Sequence, residues 1–232
     1  MFLPEYFFND QSITIFTDAS FKNSRIPGIG TTAPAAMVYH GNKLIDTDFN
    51  ILHNTTSQVG ELHAILLGVM LAYKYRNYKI RLFSDSMNSI FAIRDRIFKW
   101  VNMYNSGANN LGDGGTIKNQ EDIMQIIYYI ISNNIPMEFY HVKGHVDTKK
   151  SKSMNHAKDV FFYSNSYELD NTTIKIISDR NNAVDQFSTD MLHRHINDDK
   201  YNTTGFTQAI TIGYSPFDMG NYFNLVNFKN KA

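Results

Sequence analysis

The 232-residue chain contains no cysteine. Disulfide-stapled scaffolds, thiol nucleophiles and cysteine-ligated zinc are therefore excluded. It also lacks an excess of either charge: 22 Lys and Arg stand against 22 Asp and Glu, for a formal net charge of zero. That balance disfavours a protein that coats nucleic acid by bulk electrostatics, while leaving room for a local basic groove. No long hydrophobic run is present. A membrane-spanning helix needs about 20 apolar residues, and the most apolar helical stretch, Leu62–Tyr75, is interrupted by His63 and Lys74. The opening MFLPEYFFND has no basic region and no extended apolar region, so it does not read as a secretion signal. A soluble, cytoplasmic protein without a membrane partner is the expectation. What the chain does have is 43% hydrophobic residues, enough for a proper core. Its length predicts one large domain, or one domain with an appendage.

There is no internal repeat. The β-branched and aromatic run at 13–17 (ITIFT) predicts a buried strand, and 35–39 (AAMVY) a second one. Ser24–Pro34, rich in Gly and Pro, predicts a turn, and His40–Lys43 a hairpin into a third strand from Leu44. Leu62, Ile65, Leu66, Val69, Met70 and Tyr73 fall on one face of a helix over Gln58–Tyr75, with Ser57 as its candidate cap. Lys79–Ser84 predicts a strand, Asp85–Lys99 a helix, Asn102–Gly115 a loop, Asn119–Ser132 a helix and Met137–Val142 a strand. Residues 143–180 show no single period, although Thr173–Ile177 reads as a short strand. A helix over Asn181–Ile196 follows, and the tail from Asn197 has no assignment. Three antiparallel strands followed by strands alternating with helices predict an α/β fold with a mixed five-stranded sheet flanked by helices. Sites in such sheets lie beyond the carboxyl ends of the strands.

Asp18 and Asp85 each follow a buried apolar strand, where an unpaired charge is costly. Glu61 stands in the first turn of the long helix, just before its apolar face, and Asp185 lies on the last helix. Each acid has an ordinary explanation when taken singly: Asp85 as a helix cap, Glu61 as a partner of the helix dipole. Taken together, four carboxylates converging without bases would repel one another and raise their own pKa values. Divalent cations with hard oxygen preferences, Mg²⁺ above all, resolve that conflict.

The pattern resembles the ribonuclease H family, type 1. The matching pieces are FTDAS around Asp18, TTSQVGELHAI around Glu61, LFSDSMNSI around Asp85, YHVKGH ending in His145, and RNNAVDQFS around Asp185. The resemblance implies a ribonuclease H-like fold and a two-metal mechanism with two Mg²⁺, or Mn²⁺ in their place. In that scheme Asp18 bridges both ions. Asp185 helps to hold the ion beside the attacking water, and Glu61 and Asp85 help to hold the one beside the leaving oxygen. His145, on a loop, would shuttle a proton or help product to leave, with His141 and His156 as competitors. The implied partner is an RNA–DNA hybrid.

Several features depart from the family pattern. Asp185 follows His145 by far more residues than usual, so about 146–180 reads as an insertion, and Asp159 and Asp179 compete with Asp185. The domain is then 1–196, with 197–232 a C-terminal extension offering a possible protein-binding surface. Asn23 lies in the turn where family members contact phosphate. Thr56, Ser57 and Gln58 occupy the place where they read sugar and phosphate, with helix capping as the competing role. Met87 stands where a polar residue is common. A weakly basic stretch holds Arg94, Arg96, Lys99 and Lys118, with Trp100 and Tyr104 as stacking candidates. A second basic cluster, Lys143, Lys149, Lys150 and Lys152, flanks His145. The expected activity is hydrolysis of the RNA strand of hybrids, in primer or hybrid removal during DNA replication. The alternatives are a resolvase or exonuclease of the same superfamily, or an inactive hybrid-binding module. Ala19–Ser20 after Asp18, instead of the Asp-x-Glu of the exonucleases, counts against the exonuclease.

Overall fold

The computed structural model describes residues 5–9, 11–96 and 119–198. Trp100, Tyr104, Lys99, Lys118, the predicted loop at 102–115 and residues 199–232 of the C-terminal extension lie outside them.

A short helix α1 (Glu5–Phe8) precedes strands β1 (Ser12–Asn23), β2 (Gly30–His40), β3 (Lys43–Phe49) and β4 (Leu52–Thr55). Helix α2 (Ser57–Lys74) leads to β5 (Lys79–Ser84) and then to a short α3 (Met87–Phe91), which continues as a π-helical turn over Ala92–Arg96. After the undescribed stretch come α4 (Gln120–Ser132), β6 (Met137–His141), α5 (Ser151–Asn165) and α6 (Asn171–Asp198).

The sheet runs β3-β2-β1-β5-β6, with β4 as a sixth strand paired to β2. β1, β2 and β3 are antiparallel, whereas β1–β5 and β5–β6 are parallel. This is the predicted mixed α/β sheet, and the added strand arises where the expected third strand breaks after Phe49. The predicted turn at Ser24–Pro34 is shorter than expected, because β2 starts at Gly30 and pairs as far as Asn23. Nor does Asp18 end its strand. The parallel ladder with β5 stops at Thr17–Ser84, while β1 runs on against β2 alone. Asp18 therefore sits at the carboxyl end of the parallel part of the sheet.

Central β1 is buried on both faces from Ser12 to Ala19, so Ile13, Ile15 and Phe16 are interleaved with buried Thr14 and Thr17 instead of with solvent-facing polar residues. On one face Ile13, Ile15, Ile80 and Leu82 pack against Leu62, Ile65 and Val69 of α2 and the isoleucines of α4. On the other, Phe16, Phe83 and Tyr140 pack against Phe161 of α5 and Ile174, Ile177 and Val184 of α6. Phe7 of α1 closes this second core.

The stretch that lacked a clear period is thus two helices. Thr173–Ile177 is helical, not a strand. Its β-branched residues satisfy both patterns locally, but Thr173, Ile174 and Ile177 recur at helical spacing and all face the sheet. Residues 151–180 also bury side chains in the second core, so the predicted insertion is part of the domain's own packing. The outer edge of β6 is sealed by side chains. Asn165 Oδ1 accepts from the His141 N–H at 3.0 Å and its Nδ2 donates to His141 O at 2.7 Å, taking up both groups a further strand would pair. Arg94 Nη1 donates to Phe139 O and to Asn165 Oδ1. Among the described residues no helix is long and apolar enough to cross a membrane.

Candidate active site

Three carboxylates converge at the carboxyl ends of β1 and β5. Oxygens of Asp18, Glu61 and Asp85 all lie within 4.8 Å of one another. Asp18 projects from β1 on the face covered by α6. Glu61 stands one turn into α2, past the first turn predicted for it. Thr56, not Ser57, caps this helix, its side chain accepting from the Val59 N–H at 3.3 Å. Gly60 lets α2 approach the sheet, since a Cβ there would collide with Thr32 on β2. Asp85 follows β5 directly and does not cap α3, where Ser86 takes the cap position. Gly144 fits against it closely: any Cβ would overlap the Asp85 carboxylate.

Asp185 joins from α6, on the rim. Its Oδ2 lies 3.3 Å from His145 Nδ1. His145 adopts a left-handed backbone (φ 52°), which turns the loop after Gly144 towards α6. The competing acids lie elsewhere. Asp179 accepts from Thr148 Oγ1 at 2.8 Å and pairs with Lys175, tying the histidine loop to α6. Asp159 is exposed on α5. Asn182 adds a second tie, donating to Val146 O at 2.8 Å. Further along α6, Ser188 bridges the Ser20 N–H and Ala33 O, and the hydroxyls of Thr189 and Ser20 meet at 2.6 Å, fixing the helix against β1 and β2.

Electrostatics oppose full ionisation of this cluster. Burial pushes the Asp18 pKa up to about 8, helped by the Asp85 and Asp185 charges and opposed by the Ala19 N–H that donates to Oδ1 at 2.7 Å. Burial, then the charges of Asp18 and Asp85, hold Glu61 well above the usual carboxylate range. Asp85 is also raised, first by burial and also by Asp185, against the lowering effect of His145 and of Asn181. The remaining Glu61 oxygen, Oε2, is buried without a hydrogen-bond partner. No Lys or Arg forms an ion pair with any of the three among the described residues. An all-oxygen donor set, an orphaned buried carboxylate oxygen and mutual repulsion fit a hard divalent cation, which would bind the oxygens and relieve the repulsion together. Asp18, Glu61 and Asp85 could hold it, with Asp185 at the rim.

Of the histidine competitors, His156 is exposed on α5. His141 is buried and structural. Asp85 O can only accept, so His141 Nε2 donates to it at 3.2 Å and Nδ1 accepts from Ser164 Oγ at 2.8 Å. Burial lowers its pKa to about 4, which keeps the ring neutral in that role. Sequence reasoning missed this brace, as it missed Asn181 against Asp85. For Asn181 a signal existed: Asn181, Asp185 and Ser188 recur at helical spacing on one face of α6.

The predicted substrate contacts divide. Lys143 borders the site, half-buried, and Ser57 is exposed at the start of α2. Asn23 is engaged in its own turn, accepting from the Gly28 N–H. Gln58 donates to Ser89 Oγ at 2.8 Å. Arg94 is not part of an open basic loop: its guanidinium is spent on Asp95, Phe139 O, Ser164 O and Asn165. In the second basic cluster, Lys150 pairs with Asp147 at 2.9 Å.

The RNase H family model matches residues 10–166, well over half of the chain. The protein belongs to the RNase H family. The matched span holds Asp18, Glu61, Asp85 and His145 and ends before Asp185. Among solved structures, the N-terminal RNase H domain of a Mycobacterium tuberculosis protein is 16% identical, covering 66% of this chain and 97% of that one, with a TM-score of 0.40. LC9-RNase H1, described as a type 1 RNase H with the type 2 active-site motif, is 13% identical over 66% and 74% of the two chains, with a TM-score of 0.49. The RNase H domain of prototype foamy virus is 16% identical over 66% and 94%, with a TM-score of 0.47. No curated protein matches the chain.

Proposed function

We propose that this protein is a divalent-metal-dependent endonuclease that hydrolyses the RNA strand of RNA–DNA hybrids. The observation that carries this reading is the convergence of Asp18, Glu61 and Asp85 within 4.8 Å, without a basic partner, in a chain of the RNase H family. Asp18 would help to hold both cations. Glu61 and Asp85 would help to hold the one beside the leaving oxygen, and Asp185 the one beside the attacking water. Two Mg²⁺ ions, with Mn²⁺ as a substitute, would neutralise charge on the scissile phosphate and clamp an in-line displacement. The chain's own contribution is to hold four carboxylates where their repulsion is relieved only by cations. His145, mostly exposed and with Nδ1 3.3 Å from the Asp185 carboxylate, is placed to carry a proton between the site and solvent. Removal of primers or stray hybrids during DNA replication is the cellular role this chemistry suits.

The test is cleavage of a labelled hybrid with Mg²⁺, beside the same RNA single-stranded, duplex RNA and duplex DNA. Cutting of RNA in the hybrid alone, lost in EDTA and in Asp85→Asn, is the expected result. Wild-type turnover by Asp85→Asn would refute the site. Hybrid binding without cutting of any substrate would refute the enzyme and leave a binding module.

A further inference from the structure

The acid site opens on one side into a groove of about 470 Å³, within the roughly 300–1,000 Å³ usual for ligand pockets. Asp85, Met87, Lys143 and His145 line one flank, and Val160 and Tyr163 of α5 line the other. Three features bear on what the groove receives. Asp85 and His145 belong both to the groove and to the acid site, so a strand whose phosphate lies on the carboxylates passes into the groove on that side. Tyr163 is 78% exposed and Met87 48%, large apolar side chains left open at the groove. Tyr163 meets another ring in Phe162, at 5.6 Å and nearly edge-on, which braces it while leaving a face open. Finally, Lys143 is a cation at the groove and forms no ion pair among the described residues.

We propose that this groove binds a nucleotide of the cleaved strand next to the scissile phosphate, its backbone phosphate on Lys143 and its base or sugar face on Tyr163 and Met87. An apolar ring beside a cation suits a nucleotide, which pairs a flat apolar face with an anionic backbone. Covalent continuity selects the cleaved strand: its next nucleotide is tethered to the phosphate at the acids, whereas the opposite strand has no such tie. Tyr163 comes from α5, next to the histidine loop in the chain. The assignment rests on the hybrid-cleavage reading above.

Hybrids whose RNA is shortened stepwise from either end, up to the preferred cut, separate the two ideas. On the full-length hybrid, Tyr163→Ala is expected to raise KM about tenfold, with kcat within about twofold, and Tyr163→Phe to behave as wild type. Shortening from one end only should raise the wild-type KM to the variant's value and abolish the difference between them. Lys143→Ala should lower the salt slope of log KM by about one. The exposure of Tyr163 means that its substitution leaves the melting temperature unchanged. An unaltered KM in Tyr163→Ala, or a rise that persists on hybrids shortened from both ends, would overturn the groove. If wild type cuts no hybrid, the cleavage reading fails. The groove is then judged by fluorescence anisotropy of the labelled hybrid on Asp18→Asn with and without Tyr163→Ala: about tenfold weaker binding sustains it and equal binding overturns it.

Discussion

In metal-free buffer at pH 8, Asp18→Asn is expected to unfold at a higher temperature than wild type. Burial and neighbouring acids raise the Asp18 pKa from its ordinary 3.8 to about 8. A carboxyl raised in the folded state holds a proton that the unfolded chain releases. Stability is therefore fully present below about pH 4, falls by up to ~1.4 kcal/mol per pH unit above it, and levels off near the folded pKa. Carried across the whole interval to pH 7, this amounts to an upper bound of about 4 kcal/mol. Asparagine keeps the shape and can still accept the Ala19 N–H, but it carries no charge to bury. Recovery of even a quarter of the bound is about 1 kcal/mol, or 2–4 °C in melting temperature for a chain of this size. The assay is thermal unfolding from pH 4 to 9 in EDTA, followed by titration with Mg²⁺. Wild type should lose stability as pH rises and regain it with metal; the variant should show a flatter profile and little metal response. An Asp18→Asn melting temperature equal to or below that of wild type at pH 8, with an unchanged pH slope, would refute the claim that these acids are held against their own repulsion.

Other consequences follow from single contacts. Gly144→Ala forces a methyl group onto the Asp85 carboxylate, so hybrid cleavage and Mg²⁺-dependent stabilisation should fall together; retention of both would mean that the loop yields freely. His145→Ala should slow turnover less than Asp85→Asn does, as measured on the same hybrid, and an equal loss would make His145 more than a proton carrier. His141→Ala removes the brace on the Asp85 carbonyl and should weaken Mg²⁺ binding by calorimetry, whereas His141→Gln, which keeps an N–H donor, should restore part of it. Phe161→Ala should cost about 3–5 kcal/mol in urea unfolding, because Phe161 is fully buried between α5 and the sheet; a cost under about 1 kcal/mol would make α5 a detachable insertion after all.

Much of this protein is determined locally. The β-branched runs at 13–17 and 79–84 are strands because buried parallel pairing rewards stiff apolar side chains. The stripe from Leu62 to Tyr73 is helical because only a 3.6-residue period gathers those residues on one face. Asp18, Asp85 and Glu61 were visible as acids beside buried elements, since charge there needs a reason. Other assignments had no local answer. Thr173–Ile177 fits strand and helix equally until the sheet offers its apolar residues one face to cover. Arg94 reads as a free cation until β6 and the end of α5 bring three acceptors to it, beside its chain neighbour Asp95. The sequence favours Asp185 through RNNAVDQFS but leaves Asp159 and Asp179 as competitors; the axial position of each on α5 or α6, and the seating of α6 by Ser188 and Thr189, bring Asp185 alone to His145. A sequence pattern reports which face a residue occupies, because that depends on neighbours three or four positions away. Which faces meet, and therefore which carboxylates repel one another and what charge they carry, depends on pairings between distant residues that only the folded chain brings together.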